Sequence, residues 1–190
     1  MKQGKIFIIC GPSGVGKGTI ILGLLTQNQI PLTMIQTYTT RDPKPRDKAT
    51  GHYRYITREQ FLQHLKDKLF FESNFYNGNY YGTLQNDIDD VIKKDKIALR
   101  EQDVEHALFT QKKYPGNVMI IFIDSSLEVI RQRLVKRGEN SPEEINKRLS
   151  LAKKELDQKE KCGYIVENLP NDQEHTIQKV LEIIKTKTKS

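Results

Sequence analysis

The residues best suited to chemistry stand near the start of the chain. There the apolar run Ile6-Phe7-Ile8-Ile9-Cys10 breaks into Gly11, Pro12, Ser13, Gly14, Val15, Gly16, Lys17, Gly18 and Thr19. A buried strand that opens into glycines and then a lysine is the layout of a phosphate-binding loop. Glycines, lacking Cβ, let successive backbone N–H groups turn inward around an anion. A helix over about residues 15–26 would aim the positive end of its dipole at the same point, and Lys17 adds a full charge for the outer phosphates. The position after the lysine, where a metal-ligating hydroxyl is usual, holds Gly18, with Thr19 one further on. The loop is expected to bind a nucleoside triphosphate, with Thr19 reaching Mg²⁺ directly or through water.

Charge distribution narrows the partners. The formal net charge is +7. Six basic residues against two acidic ones lie between Ile35 and Arg58, and a second basic group runs from Arg131 to Arg148. Two separated clusters beside a phosphate loop read as walls around small polyanionic substrates, not as a nucleic-acid or membrane surface. Lys185, Lys187 and Lys189 read as a solvated tail. No apolar run approaches the roughly 18 residues a membrane helix needs, and the N-terminal residues do not form a signal peptide. Two cysteines, Cys10 and Cys162, are too few and too far apart for a disulfide framework, so a cytoplasmic location is expected. His52, His64, His106 and His175 lack metal-ligand spacing with any partner.

The elements that must position these residues follow from periodicity and turn chemistry. At 190 residues the chain suits one compact domain with insertions. After the first helix, Leu32 to Thr40 is rich in β-branched residues and reads as extended. The prolines between Arg41 and Asp47 exclude regular structure. Tyr53 to Ile56 alternates like a strand, and Thr57 with Gln60 forms a capping box for a helix. Asn77-Gly78 marks a tight turn in an aromatic stretch, and a helix is expected from Thr83. Ile97 to Leu99 is a short buried strand. Asn117 to Ile123 is a continuous apolar run, as in a parallel sheet covered on both faces. Helices follow from Ser126 to Lys136 and from Ser141-Pro142-Glu143-Glu144, which carries an N-cap, a proline at the first helical position and a glutamate at the third. A strand over Tyr164 to Val166 precedes a C-terminal helix. Strands alternate with helices except between about residues 35 and 82, which predicts a three-layer α/β fold with a parallel core sheet, an inserted lobe and a helical excursion over 126–157.

A resemblance emerges from several pieces taken together. They are the loop Gly11–Thr19, Thr37-Tyr38-Thr39-Thr40-Arg41-Asp42-Pro43-Lys44, Gly51-His52-Tyr53, Phe71-Glu72, Gly78-Asn79-Tyr80-Tyr81-Gly82-Thr83, Arg137-Gly138 and Ile145-Asn146-Lys147-Arg148-Leu149. In this order the set resembles guanylate kinase over nearly the whole chain. The resemblance implies a P-loop NTPase fold: a core of about 1–34, 84–125 and 158–190, a small mixed α/β GMP-binding lobe of about 35–83, and a helical lid of about 126–157. It implies transfer of the γ-phosphoryl group of MgATP to GMP, by a monomer or homodimer.

The same resemblance implies roles for single residues. Arg41 would clamp the acceptor phosphate, with Lys44 where the family has a second arginine and Arg46 two residues on. Tyr53 and Tyr81 would hold that phosphate through their hydroxyls, or pack the small lobe, or both. Glu72 would accept from guanine N1 and N2, with Thr37 and Thr83 serving O6, and Glu101 matches a further base-contacting acid. Asp103 matches a Mg²⁺-associated acid. Lys17, Arg137 and Arg148 would approach the transferred group, with Arg133 either a further candidate or part of a solvated helix face. Asn168 matches an asparagine near the donor adenine. Another small-molecule kinase on the same scaffold is the first alternative, and Glu72 with Thr37 and Thr83 argues against it. A non-catalytic interaction module is the second, and Lys17 with the lid arginines argues against that.

Overall fold

The computed structural model describes residues 3–44, 47, 51–138 and 141–189. Strand β1 (Lys5–Cys10) leads into helix α1 (Lys17–Gln27). Strands β2 (Leu32–Met34), β3 (Thr37–Thr39) and β4 (Tyr53–Tyr55) follow, then α2 (Arg58–Lys66). The hairpin β5 (Phe70–Tyr76) and β6 (Asn79–Leu84) precedes α3 (Gln85–Lys93) and β7 (Ile97–Glu101). The remainder runs α4 (Val104–Lys113), β8 (Val118–Asp124), α5 (Leu127–Arg137), α6 (Pro142–Leu156), β9 (Tyr164–Glu167) and α7 (Gln173–Thr188).

The core sheet has the order β2-β7-β1-β8-β9, and its β2–β7 and β8–β9 pairs are parallel. Phe7 to Cys10 and Ile120 to Ile123 are wholly buried. Burial on both faces is what turns such strands into unbroken apolar runs. By contact density the chain divides into two compact units, Met1–Ile6 with Pro31–Arg100, and Phe7–Ile30 with Glu101–Ser190.

In the first unit a smaller mixed sheet has the order β4-β3-β6-β5. Its β3–β4 pair is parallel, and β3–β6 and β5–β6 are antiparallel. The β5–β6 turn has φ of 48° at Asn77 and 80° at Gly78, the pair of positive values that a two-residue hairpin matching strand twist requires. Phe61 of α2 stacks on Phe70 and Tyr80, with centroids 4.3 and 5.2 Å away. The capping box that starts α2 is closed in both directions: Thr57 Oγ1 accepts from Gln60 N at 3.2 Å and Gln60 Oε1 from Thr57 N at 2.9 Å. Helix α3 starts at Gln85, two residues later than the sequence suggests, because Thr83 is held in β6 opposite Glu72.

In the second unit α1 starts at Lys17, since Gly16, at φ 106°, still belongs to the loop. Helices α5 and α6 share a small apolar core of Ile130, Leu134, Ile145, Leu149 and Ala152, flanked by Leu127 and Leu156. Ser141 and Glu144 close a second capping box, with Pro142 at the first helical position. Cys10 and Cys162 are free thiols with their sulfurs 3.7 Å apart. Among the described residues no helix is long and apolar enough to cross a membrane.

Candidate functional site

The phosphate loop takes its shape from backbone constraints. A Cβ on Gly11 would stand 2.5 Å from the Ile123 carbonyl oxygen, and one on Gly16 would stand 2.7 Å from the Asn168 amide nitrogen. Both positions also have positive φ, so only glycine satisfies them without strain. Lys17 Nζ donates to the Gly11 carbonyl at 2.7 Å and the Pro12 carbonyl at 3.3 Å, and lies 3.6 Å from Glu101. Glu101, expected at the guanine base, thus lies against the loop lysine in this structure. Thr19 is exposed on the first turn of α1.

Two residues considered from the sequence, Arg133 as a further candidate beside the transferred group and Asn168 near the donor adenine, brace the loop in this structure. Arg133 donates to the Val15 carbonyl at 2.7 Å, the Asn168 carbonyl at 3.2 Å and the Leu169 carbonyl at 3.3 Å. Burial, with Arg137 nearby, pulls its pKa down. The guanidinium is held by three carbonyls and is not a solvated helix face. Asn168 is wholly buried. Its amide nitrogen donates to the Val15 carbonyl at 2.7 Å and its amide oxygen accepts from Thr176 at 3.2 Å. Arg148 differs, reaching the Ser13 hydroxyl at 3.0 Å across the loop surface. Arg137 is exposed at the end of α5, before the left-handed Gly138.

Two further carboxylates of the second unit have shifted acidities. Asp103 caps α4, accepting from the His106 backbone at 2.9 Å and contacting its ring nitrogen at 2.7 Å. Burial opposes its ionisation, but those His106 contacts hold it below the usual carboxylate range. Glu155 of α6, not singled out from the sequence, accepts from the Ser13 backbone N–H, and burial pushes its carboxyl up.

In the first unit Arg41 lies over the Tyr53 ring, its guanidinium 4.5 Å from the ring centre and 5.7 Å from that of Tyr55. It pairs with Asp47 at 2.9 Å and donates to the Asp42 carbonyl at 2.8 Å. Asp47 also accepts from the Tyr55 hydroxyl at 2.6 Å and the Lys44 backbone at 2.7 Å. Burial opposes the charge on Asp47, but these hydrogen bonds and Arg41 hold it low, while burial and Asp47 push Tyr55 up to about 12. Tyr81 completes the group, its ring 6.4 Å from Tyr53, and Thr37 pairs with Tyr53 across β3–β4. The Lys44 side chain is exposed. Arg46 lies outside the described residues. Neither Asp47 nor Tyr55 was singled out from the sequence; the signal that points to Tyr55 is its place two residues from Tyr53, on the same strand face.

The residue that sequence reasoning missed most completely is Arg100. Its side chain is 1% exposed. It donates to Glu72 and, at 2.5 Å, to the Thr83 hydroxyl. A register shift at Phe71 sets Glu72 opposite Thr83, the kind of re-aiming a β-bulge produces.

Comparison with known proteins gives a consistent result. A family model described as guanylate kinase matches residues 3–187. A guanylate kinase of Prochlorococcus marinus is 36% identical over 182 residues, spanning 96% of this chain and 97% of its own. That of Oceanobacillus iheyensis is 34% identical over 185 residues, spanning 97% and 88%. Among solved structures, guanylate kinase from Anaplasma phagocytophilum superposes with a TM-score of 0.77 at 24% identity, covering 100% of this chain and 88% of that one. A gluconokinase from Sinorhizobium meliloti, at TM-score 0.54 and 13% identity over 100% and 96% of the chains, shares the fold. The chain belongs to the guanylate kinase family.

Proposed function

We propose that the chain transfers the γ-phosphoryl group of ATP to GMP, giving ADP and GDP. A phosphate oxygen of GMP attacks the γ-phosphorus, and the bond to the β–γ bridging oxygen breaks with its electron pair leaving on ADP. Such a transfer needs charge neutralisation and positioning more than covalent chemistry. Lys17 and the loop amides would hold the β- and γ-phosphates, with Arg148 and Arg137 on the developing charge. Arg41, Tyr53 and Tyr81 would hold the acceptor phosphate, Arg41 as a planar fork matched to phosphate oxygens. Residues 35–83 are read as the GMP-binding lobe, 126–157 as a lid, and the rest as the core.

The observation that carries the substrate choice is the Glu72 carboxylate on a bulged strand, backed by Arg100. An acceptor-only group there complements guanine N1–H and N2–H and leaves adenine N1 facing another acceptor. The mismatch costs about 1–3 kcal/mol. For the metal, Thr19 is exposed and Asp103 is held ionised, hard oxygen donors of the kind Mg²⁺ takes alongside phosphates and water. Bound Mg²⁺ would neutralise phosphate charge; Asp103 and Thr19 would orient it. The free thiols Cys10 and Cys162 accord with a cytoplasmic location.

A coupled assay of ADP formation with GMP, AMP, UMP and dTMP as acceptors tests the reading. GMP is expected to be turned over by far the fastest, and strong AMP turnover with GMP inert would overturn it.

A further inference from the structure

The most unusual polar group in the first unit is a guanidinium with almost no access to solvent. Arg100 occupies the fourth position of β7, a strand that sequence reading makes apolar, and its side chain is 1% exposed. A permanent charge at such a site is costly unless paired and hydrogen-bonded. Two of its partners come from neighbouring strands: Glu72 on β5 and Thr83 on β6, which face each other in register. Arginine is a donor only and cannot lose its proton. The Glu72 oxygen that meets it therefore acts as an acceptor, and the Thr83 hydroxyl spends a lone pair on the same guanidinium. Thr83 is itself 1% exposed, which suits an anchor for Arg100. The Glu72 side chain remains 18% exposed.

We propose that Arg100 is the positioning residue for base selection: tethered to Thr83, it fixes Glu72 in the orientation and acceptor polarity that admit a guanine edge and reject an adenine edge. This deepens the GMP reading above and rests on it. A glutamate has three rotatable side-chain bonds, so a carboxylate left alone samples several orientations, whereas one held by a planar fork is pre-organised. Arg100 touches no substrate in this account; it works through Glu72.

The test compares GMP and AMP as acceptors for the wild-type chain and for R100M, R100K, T83V, E72Q and the R100M/E72Q double variant, with folding monitored by thermal melts. R100M is expected to raise KM for GMP and lower the GMP-over-AMP ratio of kcat/KM by about tenfold or more, with KM for ATP held within about twofold. R100K, which keeps the charge and loses the fork, recovers part of the ratio. T83V removes one tether and leaves the ion pair, so it lowers the ratio by a smaller factor even if R100M fails to fold. In the double variant R100M adds little to E72Q, because both act through one carboxylate. Folded R100K and T83V with the wild-type ratio would overturn the role of Arg100, as would additive losses in the double variant. A wild-type chain inert toward GMP would instead overturn the kinase reading, and this inference with it.

Discussion

Two arginines on neighbouring helices, Arg133 and Arg148, carry the same charge and meet different acceptors. Arg133 is fastened to the carbonyls of Val15, Asn168 and Leu169, while Arg148 reaches a single hydroxyl, that of Ser13. The difference predicts opposite phenotypes. R133M frees the loop, so a loss of about 2 kcal/mol, or about 4–8 °C in Tm, is expected together with a higher KM for ATP. R148M is expected to leave Tm nearly unchanged and to lower kcat by about 10²-fold, as loss of a charge on the transferring group does. Thermal melts and steady-state kinetics on the two variants check both halves; equal Tm losses would refute the distinction. The sequence separates them only in that Arg148 falls in the Ile145–Leu149 motif, and it gives Arg133 no bracing role. The acceptors of Arg133 lie up to 118 residues away, so what fixes its role is tertiary, and Arg100 escaped notice for the same reason.

Elements were legible where their signals are local. Thr57 with Gln60, Ser141 with Glu144, and Asn77-Gly78 each act within four residues, and each is seen in the structure as the sequence implies. Boundaries set from afar were misjudged. Helix α1 starts late because Gly16, at φ 106° and packed against the Asn168 amide, still belongs to the loop, and α3 starts late because Thr83 is paired with Glu72. The α6 cap makes the local signals testable. Ser141 accepts from the Glu144 backbone at 3.3 Å, and Glu144 accepts from the Ser141 backbone at 2.9 Å. Removing the hydroxyl in S141A is expected to cost about 1 kcal/mol, about 2–4 °C in a chain of this size. S141D, another good N-cap, is expected to restore it. A melt of S141A that coincides with the wild type would show that packing on α5 alone holds α6.

At the scale of the whole molecule, the acid groups do not all push stability the same way with pH. Asp47 and Asp103 sit below their ordinary value of 3.8 because hydrogen bonds outweigh burial. Their contribution is complete above that value and is lost as pH falls through the lower folded values. Glu155 runs the other way. Burial raises it above 4.5, against the pull of Lys17, so its contribution is present below 4.5 and is lost as pH rises through the folded value. The folded state at neutral pH therefore holds a partly buried carboxylate whose charge it disfavours. Glutamine keeps an oxygen for the Ser13 backbone N–H and cannot ionise. E155Q is expected to melt above the wild type near pH 7.5, by about 1–3 °C, and to converge with it near pH 4. D47N is expected to flatten the fall in stability below pH 4. Differential scanning calorimetry across that range reads both slopes, and an E155Q curve parallel to the wild type at every pH would mean that Glu155 is solvated in solution.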